Sequence, residues 1–226
     1  MTKSDILRSA SVYGSRFVSW IDFIIDEEAE YVRGTKNLRA ENLSDGQGVT
    51  FCGLTQASDG LNMQTVTPSW VAGSFYFGKV PYWKPVAGLP YPLAECVANW
   101  RVHMGVSGST KLLQAAIDLP QDGILGPATI ARAASFPEPL VLCRQLVKAA
   151  DDHYRAIVAR IPSRSYALAD WLRRDQHLLA RFVDTQQSIP EQALGVLATP
   201  AIPRVPTPRS LDQILADLVI TPQVMT

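Results

Sequence analysis

The chain has 226 residues, 47% of them hydrophobic and 19% charged, which is enough apolar material for a sizeable core within one domain or a domain and a piece. Twenty-one basic residues balance twenty-one acidic ones, so no global field favours nucleic acid, and no run approaches the ~20 apolar residues of a membrane span. Cys52, Cys96 and Cys143 are odd in number and lack metal-ligand spacing, so they read as small, reduced, buried side chains, with no zinc, other metal or cofactor expected.

The N-terminal stretch MTKSDILRSASVYGS has no continuous apolar segment, so no signal peptide is expected and the protein is read as made in the cytoplasm. Residues 4–32 read as helix, interrupted near Gly14, with Ser4 or Asp5 as the cap. Within it Phe17, Ile21, Ile24 and Glu28 recur at helical spacing, and Trp20 and Ile25 widen their face. Glu28 thus ends an apolar stripe, whereas Asp26, Glu27 and Glu30 point elsewhere. A carboxyl group at the rim of a core is partly desolvated, which favours the protonated form that a general acid requires.

Residues 34–62 read as a loop rich in Gly, Asn, Asp and Ser, with short extended pieces around Val49 to Leu54. There Asp45 opens the turn Asp-Gly-Gln-Gly, followed by Thr50, Gly53 and Thr55. A polar loop keeps an aspartate solvated and ionised, so Glu28 and Asp45 together supply one acid and one base or stabilising carboxylate. Thr50 and Thr55 either hydrogen-bond a substrate or satisfy backbone groups of the turn.

Residues 68–83 concentrate Trp70, Phe75, Tyr76, Phe77, Tyr82 and Trp83. A helix packed on the core accounts for most of them, and one or two at a rim are free to stack on sugar faces. Residues 91–104 carry Leu93, Val97, Trp100 and Met104 on one helical face, with Asn99 and His103 on its flank; His103 is read as structural. Further helices are predicted over 109–118, 128–135, 138–160 and 165–183, the second introduced by the turn Gln121-Asp122-Gly123 and by Gly126-Pro127; the third turns Leu140, Cys143, Leu146, Val147 and Tyr154 inward and the fourth Leu168, Trp171, Leu172, Leu178 and Leu179.

The tail changes character. Pro190, Pro200, Pro203, Pro206 and Pro208 favour an extended linker over 187–209. Ser210 then caps a short amphipathic helix bearing Leu211, Ile214, Leu215, Leu218 and Val219, within the terminal piece 210–226. So short a helix needs a surface, either its own domain or a partner groove.

Several of these motifs resemble glycoside hydrolase family 108, lysozyme-like N-acetylmuramidases. Glu28-Ala29-Glu30-Tyr31-Val32 is similar to the family's Glu-Gly-Gly-Tyr-Val, and Asp45, Gly48, Thr50, Gly53 and Thr55 fall on matching positions of its next motif. Tyr82-Trp83, Leu112-Leu113-Gln114 and Asp122 to Thr129 resemble its later part, including a peptidoglycan-binding-like segment. Ala29 and Glu30 stand where the family has glycines, Phe51 stands where it has asparagine, and the stretch between Glu28 and Asp45 is longer.

The resemblance implies an all-α, lysozyme-like fold with a small irregular or β loop region over residues 1–186, of which 109–183 form the peptidoglycan-binding-like part. It also implies cleavage of the β-1,4 bond between N-acetylmuramic acid and N-acetylglucosamine, with Glu28 and Asp45 catalytic and Thr50, Thr55, Tyr82 and Trp83 binding the substrate. By the same resemblance the protein is of bacteriophage origin and acts at the cell wall, either as an endolysin or as a virion tail lysozyme docked through the helix at 210–220. Two alternatives remain at this level: a lysozyme-like scaffold that binds the wall or a virion protein without turnover, suggested by Ala29-Glu30, and a lytic transglycosylase.

Overall fold

Thr2 closes the first helix from outside: its Oγ1 accepts from the Asp5 backbone N–H, and the Asp5 carboxylate accepts from the Thr2 N–H at 2.9 Å. This reciprocal box satisfies two orphan donors, so the cap is Thr2 and the expected Ser4 or Asp5 lie inside the helix. A computed structural model of the chain describes residues 1–43 and 48–185, which are mainly α with short strands. They group into two compact units, Met1–Leu89 with Val97–Ser109, and Pro90–Cys96 with residues 110–185.

In the first unit, helix α1 (Lys3–Ala10) runs through a 3₁₀ turn to Gly14, whose φ of 96° breaks the helical path where expected. Lys3 pairs with Asp22 at 2.7 Å and with Asp26, tying α1 to α2 (Ser15–Glu28). Helix α2 buries Phe17, Trp20, Ile21, Phe23, Ile24 and Ile25, the stripe and its widening. It ends at Glu28 because Ala29 turns extended, so the helix expected through residue 32 stops earlier. Tyr31, whose aromatic ring suits a strand, instead lies in β1 (Glu30–Tyr31), paired antiparallel with β2 (Leu38–Arg39).

Next comes an antiparallel meander of β3 (Glu41–Leu43), β4 (Gly48–Phe51) and β5 (Leu54–Thr55). The short helix α3 (Gln56–Asp59) follows, then α4 (Pro68–Phe77), capped by Thr67 with proline in its first turn. Helix α4 ends before Gly78, where a Cβ would stand 2.6 Å from the Ser74 carbonyl oxygen. The chain then folds back, Trp83 N–H donating to Phe75 O at 3.1 Å, so the run expected as helix to residue 83 is a helix and a return.

Helix α5 (Leu93–His103) has its first residues, to Cys96, in the second unit and the rest in the first, with Leu93, Val97 and Trp100 buried as the spacing predicts. His103 near its end is half-buried, and burial pushes its pKa from 6.5 down to about 4. Between those values the unfolded chain takes up a proton that the folded chain refuses. Stability therefore falls as pH drops from 6.5 through about 4, and the loss is complete below. Denaturant unfolding at the two ends of that window should show wild type losing on the order of 1–3 kcal/mol more than His103→Gln. The variant is the necessary reference, because burial raises the Asp59 and Asp151 carboxyls and shifts stability the other way.

The second unit is helical, built from α6 (Gly105–Ala116, from Thr110 on), α7 (Pro127–Ala134), α8 (Pro139–Arg160) and α9 (Ser165–Leu178). Gln114, buried on α6, is fully used: its amide nitrogen donates to Asp122 Oδ1 and the Ile124 carbonyl, with Thr129 Oγ1 also 3.3 Å away, and its oxygen accepts from Gly123 N–H at 2.9 Å. One side chain thereby locks the Asp122–Thr129 connector. Helix α8 buries Cys143, Leu146, Val147 and Tyr154 as expected, with Leu140 half-buried. On α9 the fully buried residues are Arg174, Asp175 and Leu178, whereas Leu168, Trp171 and Leu172 are half-buried, with Trp171 5.2 Å from the Tyr154 ring. Among the described residues no helix is long and apolar enough to cross a membrane. The linker at 187–209 and the helix expected at 210–220 lie outside the described residues.

Candidate functional site

Two consecutive residues with positive φ, Cys52 at 55° and Gly53 at 81°, close the two-residue hairpin between β4 and β5. This is the backbone twist that matches the flanking strands, and glycine adopts it without strain. At Gly53 the missing side chain also serves packing. A Cβ there would stand 3.0 Å from Glu28 Cγ and 3.1 Å from Glu28 Cβ, tighter than ordinary carbon contact, so Glu28 would have to give by a few tenths of an ångström. The hairpin turn therefore lies against the stem of Glu28, the last residue of α2, and Glu28 is half-buried between core and solvent. Periodicity predicts the end of the stripe; the contact with Gly53 is a property of the fold.

The residues that depart from the glycine motif sit without strain. Ala29 has φ −98° and ψ 133°, extended backbone open to any residue. Glu30 stands directly opposite Arg39 in the β1–β2 register, and their charged groups are 4.0 Å apart. Arg39 also pairs with Glu41, so the cation is shared across the ribbon.

Thr50 and Thr55 both serve the hairpin. Thr50 Oγ1 donates to the Leu54 carbonyl at 3.2 Å, and Thr55 Oγ1 caps α3 by accepting from Ser58 N–H at 3.0 Å. Of their two expected roles, the structure displays the backbone one. Tyr82 and Trp83, expected to bind sugar, are 6% and 3% exposed. Trp83 packs against Trp20 and Phe17, ring centroids 5.3 and 5.8 Å apart, and Tyr82 donates to Asp59 inside the unit. They are core residues, because the return after Gly78 folds both rings inward over α2 and α4. Asp45 lies outside the described residues. Among the described residues no cluster of His, Cys, Asp and Glu is arranged to hold a metal ion.

No protein-family model matches the chain, and no curated protein sequence matches it. Among solved structures, SagA of Brucella abortus is similar over 73% of this chain and 92% of its own, with a TM-score of 0.56 and 20% identity. The chain has a SagA-like fold. At that identity the likeness establishes architecture, and the chemistry rests on this chain's own residues.

Sequence reasoning passes over Asp59 and Arg101, both buried in the first unit. A signal for Asp59 was present in Thr55-Gln56-Ala57-Ser58-Asp59, a capping threonine with a carboxylate one turn on. Gly53 itself offers a direct check. Alanine at φ 81° costs about 1–2 kcal/mol in backbone strain, and its methyl group must displace Glu28. In a double-mutant cycle with Glu28→Ala, the steric part should disappear, giving a coupling of about 0.5–3 kcal/mol in denaturant unfolding. Strict additivity would mean that the two residues do not touch.

Proposed function

We propose that the protein is a peptidoglycan hydrolase, an N-acetylmuramidase that cleaves the β-1,4 bond between N-acetylmuramic acid and N-acetylglucosamine, with Glu28 as general acid. The observation that carries this reading is the half-buried residue Glu28 at the end of α2, its stem held by the turn of a β-hairpin. A core-facing stem restricts the carboxyl to few rotamers. Glu28 gives its proton to the glycosidic oxygen as the bond to the anomeric carbon breaks. Asp45, which lies between β3 and β4 in sequence, steadies the oxocarbenium-like carbon or takes a proton from the attacking water.

The chain is further read as a bacteriophage protein that meets its substrate at the cell wall, as a released endolysin or as a virion component. The resemblance of its ordered motifs to family 108 supports this. The competing view of a scaffold without turnover drew on Ala29 and Glu30. Against it, Ala29 takes an ordinary extended backbone and Glu30 lies opposite Arg39.

The test is digestion of purified sacculi followed by mass analysis of the soluble fragments. Muropeptides ending in reducing N-acetylmuramic acid support hydrolysis. Anhydro ends would make the protein a lytic transglycosylase, and sacculi that bind the protein but stay intact would leave the scaffold.

A further inference from the structure

Asp59 ends α3 with both carboxylate oxygens engaged. Its Oδ2 accepts from the Thr55 backbone N–H at 2.9 Å and its Oδ1 from the Tyr82 hydroxyl at 3.1 Å. Tyr82 is held in turn from its N-terminal side, where the Pro81 carbonyl accepts from Arg101 Nη2 on α5 at 2.9 Å. Asp59, Tyr82 and Arg101 are 9%, 6% and 2% exposed, so the path Arg101, Pro81, Tyr82, Asp59, Thr55 runs through the interior. It ends on β5, two residues after Gly53, the residue against which Glu28 packs.

Such a path is costly to build. A buried carboxylate, hydroxyl and guanidinium each lose hydration, and an apolar filling would pack the same space without that loss. Burial pushes the Asp59 carboxyl up, and the bonds from Thr55 and Tyr82 hold it back, so the ionised form depends on both partners. Directional bonds accomplish what apolar contacts cannot: beside the Thr50 bond to the Leu54 carbonyl and the threonine cap, they fix the angle and register of a two-residue hairpin.

We propose that Asp59 and Tyr82 are positioning residues of the Glu28 site, holding the β4–β5 hairpin in the register that sets Gly53 against the acid. The proposal rests on the reading of Glu28 as the catalytic acid, and it gives Tyr82 a task at the site without contact to substrate. The hydroxyl of Tyr82 acts through Asp59, Asp59 through Thr55, and the hairpin through Gly53.

The experiment uses the full chain with Tyr82→Phe, which removes only the hydroxyl, and Asp59→Ala. Phe75→Leu serves as control, because Phe75 packs on the Tyr82 ring at 5.8 Å and loosens the same region without touching the bonds. Amide hydrogen exchange is measured at Phe51, Leu54 and Thr55, and kcat and KM are measured on sacculi. Both test variants should speed exchange at those amides about tenfold relative to the amides of α2, whereas Phe75→Leu changes both groups together. The kcat of Tyr82→Phe should fall about 10- to 100-fold at unchanged KM, since a displaced acid still binds glycan. Unchanged hairpin exchange and unchanged kcat in Tyr82→Phe would overturn the proposal. If wild type does not turn over sacculi, the catalytic reading fails by itself, and exchange alone then decides whether Asp59 and Tyr82 hold the hairpin.

Discussion

Glu28→Gln should leave purified sacculi intact over the time in which the wild type clears them, with the rate of muropeptide release lowered about 10²- to 10⁴-fold. Glutamine matches glutamate in length and shape, so its stem still packs against Gly53 and the hairpin keeps its place. What it lacks is the proton for the leaving oxygen. The thermal midpoint of the variant should therefore stay near that of the wild type, because a half-exposed isosteric change moves stability by about 0.5 kcal/mol or less. Binding to sacculi should persist as well, since the glycan contacts of a general acid contribute more to the transition state than to the ground state. Full activity in Glu28→Gln would remove Glu28 from the chemistry whatever its surroundings. A folding defect would show instead that its carboxylate is structural.

Trp20→Ala should lower the unfolding free energy by about 3–5 kcal/mol. The indole is 0% exposed and sits within 5.9 Å of Phe17, 5.8 Å of Phe75 and 5.3 Å of Trp83, centroid to centroid. Truncation leaves a cavity lined by stiff rings from α2, α4 and the return after Gly78, and three fixed rings relax little into a hole. Its Nε1 has no hydrogen-bond partner among the described residues, so Trp20→Phe gives up ring area and no bond, and its loss should be smaller. Urea unfolding with an unchanged m-value would report the difference cleanly. A loss below 1 kcal/mol would mean that the aromatic cluster is not the core of the first unit. The variant bears on function only indirectly: Trp20 lies two turns before Glu28 on α2, and a loosened helix misplaces its last residue.

Much of α2 was legible in the sequence. Phe17, Trp20, Ile21, Ile24 and Ile25 are spaced at the helical period, and a face that must leave water writes that period into the chain. Gly14 broke the helix where expected because only glycine enters φ 96° without cost. The second unit was similarly readable from the stripe of α8 and from Gly126-Pro127. The residues of α9 were not, since Arg174 and Asp175 are charged and buried while Trp171 and Leu172 are half-buried. Hydrophobicity ranks residues by their own solvation and is blind to partners that make a charge tolerable in the interior.

At the candidate site the division is sharper. Local sequence places a carboxylate at the end of an apolar stripe and a polar, glycine-bearing loop further on, because periodicity and turn chemistry act over a few residues. An aromatic side chain satisfies rim or core, so a run read mostly as core still left Tyr82 and Trp83 to be taken as sugar binders by resemblance. Only the tertiary structure sent both inward, by folding the chain back after Gly78 so that Trp83 meets Trp20 and Tyr82 meets Asp59. Only it brought Gly53 onto Glu28, a contact between residues far apart in sequence whose signal is an absent side chain. The chain thus determined by itself where a helix, a turn and an acid would lie. Which of them touch was decided by packing, because the fit of distant surfaces depends on the whole fold and leaves no local period to read.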